Sequence, residues 1–455
     1  MPSNFQSTCG LAVSPKMSFY NTKACKEAVE LVEKKWKNVD LNDQQFELAQ
    51  PQSIEFQSFK LADFSYDLWL NTEPEGFSTS RIISPAPLIL CLSNLHFIAD
   101  GDTRQHLTKI LGFPGDEREQ LKSHQWLVYA YSRLCDQPRP SKVRPVQKVI
   151  IRGYEPSAMD QNLQNAYDRY AVDLKCLHSE PYFDTIDQTI DHLVSKQSSG
   201  KMKSLLPSGC TFDKTVDLAI MTSIYFEPEW MNLCPLGLAT LCDFDVQNAA
   251  GLAKVFKLPS IKSTVRADYG EFSECIISGY EFKWSSLTIY FFKPNNNLTL
   301  PEMEKALTGS KLISYIREVA KRRFFKKYDV DTQIPLFTLE NHVELKPALE
   351  KMGLKNLCDQ EECNLYRLCP KRNKNYALSM AFQHVAIKIG LRSGNFRHLI
   401  KEPKKIIPDY VPTRKQFHLD SAFLFVVYEF NTGLILFIGR VIDPTASYVG
   451  GEQLL

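Results

Sequence analysis

Ala422-Phe423-Leu424-Phe425-Val426-Val427-Tyr428-Glu429-Phe430 and Leu434-Ile435-Leu436-Phe437-Ile438 are near-continuous apolar runs, separated only by the turn-forming Asn431-Thr432-Gly433. This predicts a buried hairpin near the end of the chain. Upstream, Tyr376 to Ile389 is rich in strand formers and predicts one long strand. The segment between them contradicts both. Residues 391 to 415 contain Pro403, Pro408 and Pro412 and seven Lys or Arg against Glu402 and Asp409. Neither a helix nor a central strand accommodates that composition, so a long exposed loop is expected.

A buried hairpin needs a large body around it. With 455 residues, 44% of them hydrophobic, the chain can supply one. Lys plus Arg number 54 against 52 Asp plus Glu, so global charge gives no reason to expect nucleic acid. No stretch approaches the roughly 18 apolar residues of a membrane span. Residues 1 to 55 read as an extension whose one ordered candidate is a helix over Ala24 to Trp36, and residues 56 to 455 as a single domain. Met1 to Lys35 lacks the apolar middle of a secretory signal, which argues for the cytoplasm. Asn297-Leu298-Thr299 is a glycosylation sequon and argues the other way. Of twelve cysteines, only Cys358, Cys363 and Cys369 cluster, at a spacing that suits free thiols better than zinc. No Gly-rich phosphate loop, nucleophile elbow or His pair at metal spacing is present, so neither an enzyme nor a cofactor or metal is expected.

The tail residues Phe423-Leu424-Phe425, Thr432 and Leu436-Phe437-Ile438-Gly439-Arg440-Val441-Ile442-Asp443-Pro444 resemble the carboxyl terminus of the serpins, and His384-Val385-Ala386 resembles the His-Lys-Ala that opens their long central strand. Further matches are Ile82 to Leu88, Gly101-Asp102-Thr103, Ile190 to Val194, Gly200 to Pro207, Ile220 to Trp230, Ile334 to Phe337 and Leu345 to Leu354, so the resemblance covers about residues 60 to 444. It implies an α+β serpin fold: three β-sheets, eight or nine helices, and a reactive loop here at about 391 to 415. It also implies a monomer that offers this loop to a serine protease, and an extracellular location by family habit.

The gate through which the loop would enter the main sheet maps onto Ser84, Thr222, His384 and Trp230. Thr222 stands where the family has Asn, and Pro87 where it has a second Ser. The would-be scissile bond falls within Pro408, Asp409, Tyr410 and Val411. Arg139, Lys142, Arg144 and Lys148 lie around a region where some serpins bind heparin-like polyanions, although a solvated basic loop explains them as well.

In an inhibitory serpin the cleaved loop inserts as a new central strand, which requires small, uncharged residues after a conserved Gly. Here the hinge reads Arg392, Ser393, Gly394, Asn395, Phe396, Arg397, followed by His398-Leu399-Ile400-Lys401-Glu402-Pro403-Lys404-Lys405. By alternation one face carries Asn395, Arg397, Leu399, Lys401, Pro403 and Lys405, and the other Phe396, His398, Ile400, Glu402 and Lys404. Both contain charges. The family's Glu at the loop base is Arg392, and its Lys partner is Leu336, so that ion pair is absent. The expected function is therefore a non-inhibitory serpin that binds a protein partner. The alternatives are a working inhibitor of trypsin-like proteases, and a carrier or polyanion-binding scaffold.

Overall fold

The computed structural model describes residues 51–73, 79–135, 143, 145–151, 174–175, 185–212, 216–231, 233, 239–247, 253–283, 285–295, 297–322, 328–365, 376–391 and 414–445. The helix expected over Ala24 to Trp36 lies outside them. Helix α1 (Pro51–Asn71) starts inside the segment read as the extension.

The tail forms the expected hairpin. Strands β13 (Phe423–Glu429) and β14 (Ile435–Val441) pair antiparallel from Phe423 opposite Val441 to Tyr428 opposite Ile435, and every residue of both is buried. Their turn closes on itself. The Glu429 carboxylate accepts from the Thr432 amide at 2.6 Å and the Thr432 hydroxyl at 2.5 Å, and Gly433 takes the left-handed φ of +74° that the turn requires.

The hairpin is dry on both sides because it lies inside a layer. β1 (Arg81–Ile83) flanks β14, and β8 (Leu287–Pro294) flanks β13; β7 (Cys275–Glu281) and β6 (Ala253–Glu271) follow. β6 is long enough to serve two sheets. Asp268 to Glu271 pair with β7, whereas its earlier residues pair with β5 (Thr240–Gln247) and β9 (Tyr328–Pro335). β12 (Arg414–His418) adds parallel to β9. The third sheet has the order β10 (Phe337–Glu344), β11 (Leu378–Ile389), β4 (Leu218–Phe226), β2 (Val146–Ile151), β3 (Leu174–Lys175).

Helix α2 (Pro85–Ile98) is buried at all 14 positions, as its nearly unbroken apolar sequence demands. Two of its polar side chains are paired, Ser93 with His124 at 2.6 Å and His96 with Thr108 at 2.9 Å, whereas the buried Asn94 Oδ1 has no partner among the described residues. Helices α3 (Gly101–Leu111) and α4 (Glu117–Cys135) pack around it. Helix α5 (Ile186–Gln197) and the segment after it cover one face of the five-stranded sheet: Ile190, Val194, Met202 and Leu205 meet Ala219, Met221, Phe382 and Ala386. Helices α6 (Leu300–Ala306), α7 (Gly309–Arg322), α8 (Lys346–Leu349) and α9 (Lys355–Cys358) complete the described set, with a kink at Gly353 between the last two. No described helix is long and apolar enough to cross a membrane.

Two buried carboxylates and two buried guanidinium groups tie α1, α6, β1 and β14 together. Arg440 pairs with Glu304 at 3.2 Å and with Glu73, and Arg81 pairs with Glu73 at 2.6 Å while stacking on Trp69. Burial pushes the Glu304 carboxyl above the usual range in spite of Arg440 and Arg81. Cys358 and Cys363 are free thiols, each pushed up to about 12 chiefly by burial, so they are protonated at neutral pH; Cys369 lies outside the described residues.

Candidate functional site

The site is the seam between β11 and β4 together with the root of the loop that leaves β11. The two strands run parallel and pair directly from Leu378 opposite Leu218 to Ile387 opposite Phe226, with one register shift at Leu378 and Met380. Both faces of the seam are buried. Leu218, Ile220, Ile224, Val385 and Ile387 point into the main core, and Ala219, Met221, Phe382 and Ala386 point under α5.

The main-core side of the seam holds one polar cluster. Ser84 and Thr222 lie there, and the residue that joins them is Gln383. Its Oε1 accepts from the Ser84 amide at 2.7 Å, and its Nε2 donates to the Ser84 carbonyl at 2.7 Å and to the Thr222 hydroxyl at 3.0 Å. The Ser84 hydroxyl donates onward to the Leu436 carbonyl at 2.6 Å, tying the cluster to the tail hairpin. Gln383 and Thr222 are both fully buried.

His384 is not part of this cluster, which corrects the sequence expectation. Successive residues of a strand face opposite ways. With Gln383 facing the core, His384 faces the α5 side, where Nδ1 lies 2.5 Å from the Ser204 carbonyl and Nε2 lies 2.8 Å from Glu340 Oε1. Replacing Gln383 by Leu strands the Ser84 and Thr222 groups in a dry interior, at roughly 1–3 kcal/mol for each group left unsatisfied. Urea unfolding of Gln383→Leu is expected to show a clearly lowered midpoint with an unchanged slope.

Trp230 caps the seam. It is 1% exposed, packs on Phe282 with ring centroids 5.2 Å apart, and donates from Nε1 to the Gly390 carbonyl at 2.8 Å. That fixes the last turn of chain before the loop, and Leu391 packs against the core beside it. Leu336, where the family has a lysine, is fully buried, a place suited to an alkyl side chain and not to an ammonium.

The hinge positions Arg392, Ser393, Gly394, Asn395, Phe396 and Arg397 and the scissile candidates Pro408, Asp409, Tyr410 and Val411 lie outside the described residues. The loop ends sooner than the sequence suggested. Arg414 and Lys415 belong to β12, paired with Asp329 and Val330, so a protease could use that bond only by first peeling the strand away. Of the basic group, Arg139, Lys142 and Arg144 lie outside the described residues. Lys148 stands opposite Met221 in the pairing of β2 with β4, a strand of the five-stranded sheet where a solvated loop was expected.

The residues that sequence reasoning missed are Gln383, Glu340 and His342. The apolar residues of β11 show no alternation because both its faces are covered, so nothing in the sequence says which of Gln383 and His384 faces the core.

A family model described as serpin (serine protease inhibitor) matches residues 60–444. An uncharacterized serpin-like protein of Methanosarcina acetivorans is 24% identical over 387 residues, 84% of each chain. Human Serpin I2 is 23% identical over 276 residues, which span 59% of this chain and 63% of that protein. Among solved structures, a tumour suppressing serpin superposes with a TM-score of 0.69 at 18% identity, covering 85% of this chain and all of that one. The thermophilic serpin tengpin in its native state gives 0.69 at 19% identity, covering 90% and 98%. The family match over most of the chain and the shared fold agree, and the protein belongs to the serpin family.

Proposed function

We propose that this serpin does not trap proteases and acts instead by binding a protein partner through its body or its basic loop. The observation that supports the reading is the hinge sequence set against the seam it would have to enter. An added strand needs room between β11 and β4, where both faces are dry. In one register Arg397, Lys401 and Lys405 enter a face together with Pro403; in the other, Glu402 and Lys404 do. Each unpaired buried charge costs several kcal/mol, and the proline removes a ladder donor.

The loop remains usable as bait. Lys401, Lys404 and Lys405 suit trypsin-like enzymes, which would cut it and depart. Incubation with a panel of trypsin-like proteases is expected to give a cleaved chain and no complex that survives SDS. A stable covalent complex with any of them overturns the reading.

A further inference from the structure

We propose that Glu340, His342 and His384 form a binding site for one divalent transition-metal ion of the zinc class, clamping β10 to β11 on the face covered by α5. The three side chains are remote in sequence. They meet because β10 and β11 pair antiparallel with His342 directly opposite His384, and Glu340 stands one strand repeat away on the same face. Their ligand atoms all lie within 4.8 Å of one another. Tetrahedral zinc with ligands at about 2.0–2.1 Å sets them about 3.4 Å apart, so side-chain adjustment alone closes the site.

Hydrogen bonding already fixes which nitrogen of each imidazole is free to ligate. His342 Nδ1 lies 3.0 Å from the Leu205 carbonyl, and His384 Nδ1 lies 2.5 Å from the Ser204 carbonyl. A carbonyl only accepts, so both Nδ1 atoms carry hydrogen and the Nε2 atoms are left as the ligating positions. This is the outer-shell arrangement usual for metal-bound histidine. The Ser204 carbonyl is itself held, since the Leu205 amide of the same peptide unit donates to Asp191 of α5 at 3.1 Å.

His384 Nε2 faces Glu340 Oε1 at 2.8 Å. With Nδ1 already donating to a carbonyl, the Nε2 lone pair faces a carboxylate oxygen, an arrangement that a bound metal ion bridges. The His342 ring stacks on His384 with centroids 3.8 Å apart, so binding one ion opens the two rings away from that stack. Glu340 and His342 are exposed, which gives an entry path and leaves a fourth position for water.

The test uses the full chain and Zn2+ or Co2+ directly. The wild type is expected to bind one equivalent of Zn2+ more than His342→Ala, and its melting temperature is expected to rise with Zn2+, while those of His342→Ala and Glu340→Ala do not. His342 and Glu340 are exposed, so neither variant threatens the fold. Because the chain has twelve cysteines, Co2+ spectra of the wild type provide a check that needs no variant. Ligand-field bands without a sulfur-to-cobalt charge-transfer band support the site. Equal Zn2+ binding by wild type and variants, or a thiolate band alone, overturns it.

Discussion

Replacing Arg440 by alanine is expected to destabilise the protein by about 3–5 kcal/mol, the range for breaking one side of a buried ion pair. Arg440 is 1% exposed and sits between Glu304, which is fully buried, and Glu73, with Nε donating to the Thr79 carbonyl at 3.0 Å. The group of Arg81, Arg440, Glu73 and Glu304 is neutral as it stands. Without Arg440, Glu304 keeps only the Trp69 indole at 3.3 Å as a side-chain donor, and it has to take up a proton or carry an uncompensated charge in a dry interior. Burial already raises its pKa, so protonation is the easier course. The double variant Arg440→Met/Glu304→Gln is therefore expected to lose much less than the sum of its parts. Chemical denaturation of the two singles and the double reads this directly; additive losses would show that the four groups are not acting as one unit.

Trp230→Ala is expected to cost a similar amount, about 3–5 kcal/mol, because a large aromatic leaves a cavity in a packed core. Its effect should also be local in a way that Arg440's is not. The indole holds the Gly390 carbonyl at the loop root and closes the end of the β11–β4 seam against Phe282. Amide hydrogen exchange at Val385, Ile387 and Ile389 should rise more than at Val426 or Val427 in the tail hairpin. Trp230→Phe keeps an aromatic ring of smaller size and loses the hydrogen bond, and is expected to cost less than Trp230→Ala. Equal exchange gains in seam and hairpin would contradict the role given to Trp230.

Much of this was legible in the sequence. The apolar runs around Asn431-Thr432-Gly433 admitted only a buried hairpin. The all-apolar helix from Pro85 could only be interior. What stayed hidden depends on pairing between distant segments. β2 lies in the stretch around Lys148 that read as a basic loop, and its place in the sheet is set by β4, more than 65 residues on. Gln383 and His384 could not be told apart because β11 is covered on both faces. Glu304 and Arg440 each look like surface charges until α6 and β14 bring them together, and His342 and Glu340 carry no spacing signal because their partner is on another strand.

The segment after Gly394 is expected not to become a strand between β11 and β4. Limited trypsin-like cleavage at Lys404-Lys405 leaves that segment attached to β11 and free at its other end, the most favourable situation for insertion. Thermal melting of the nicked chain against the intact one measures the outcome. No gain in melting temperature is expected; a large upward shift, with the protein gaining a sixth strand in its five-stranded sheet, would contradict a hinge that cannot insert.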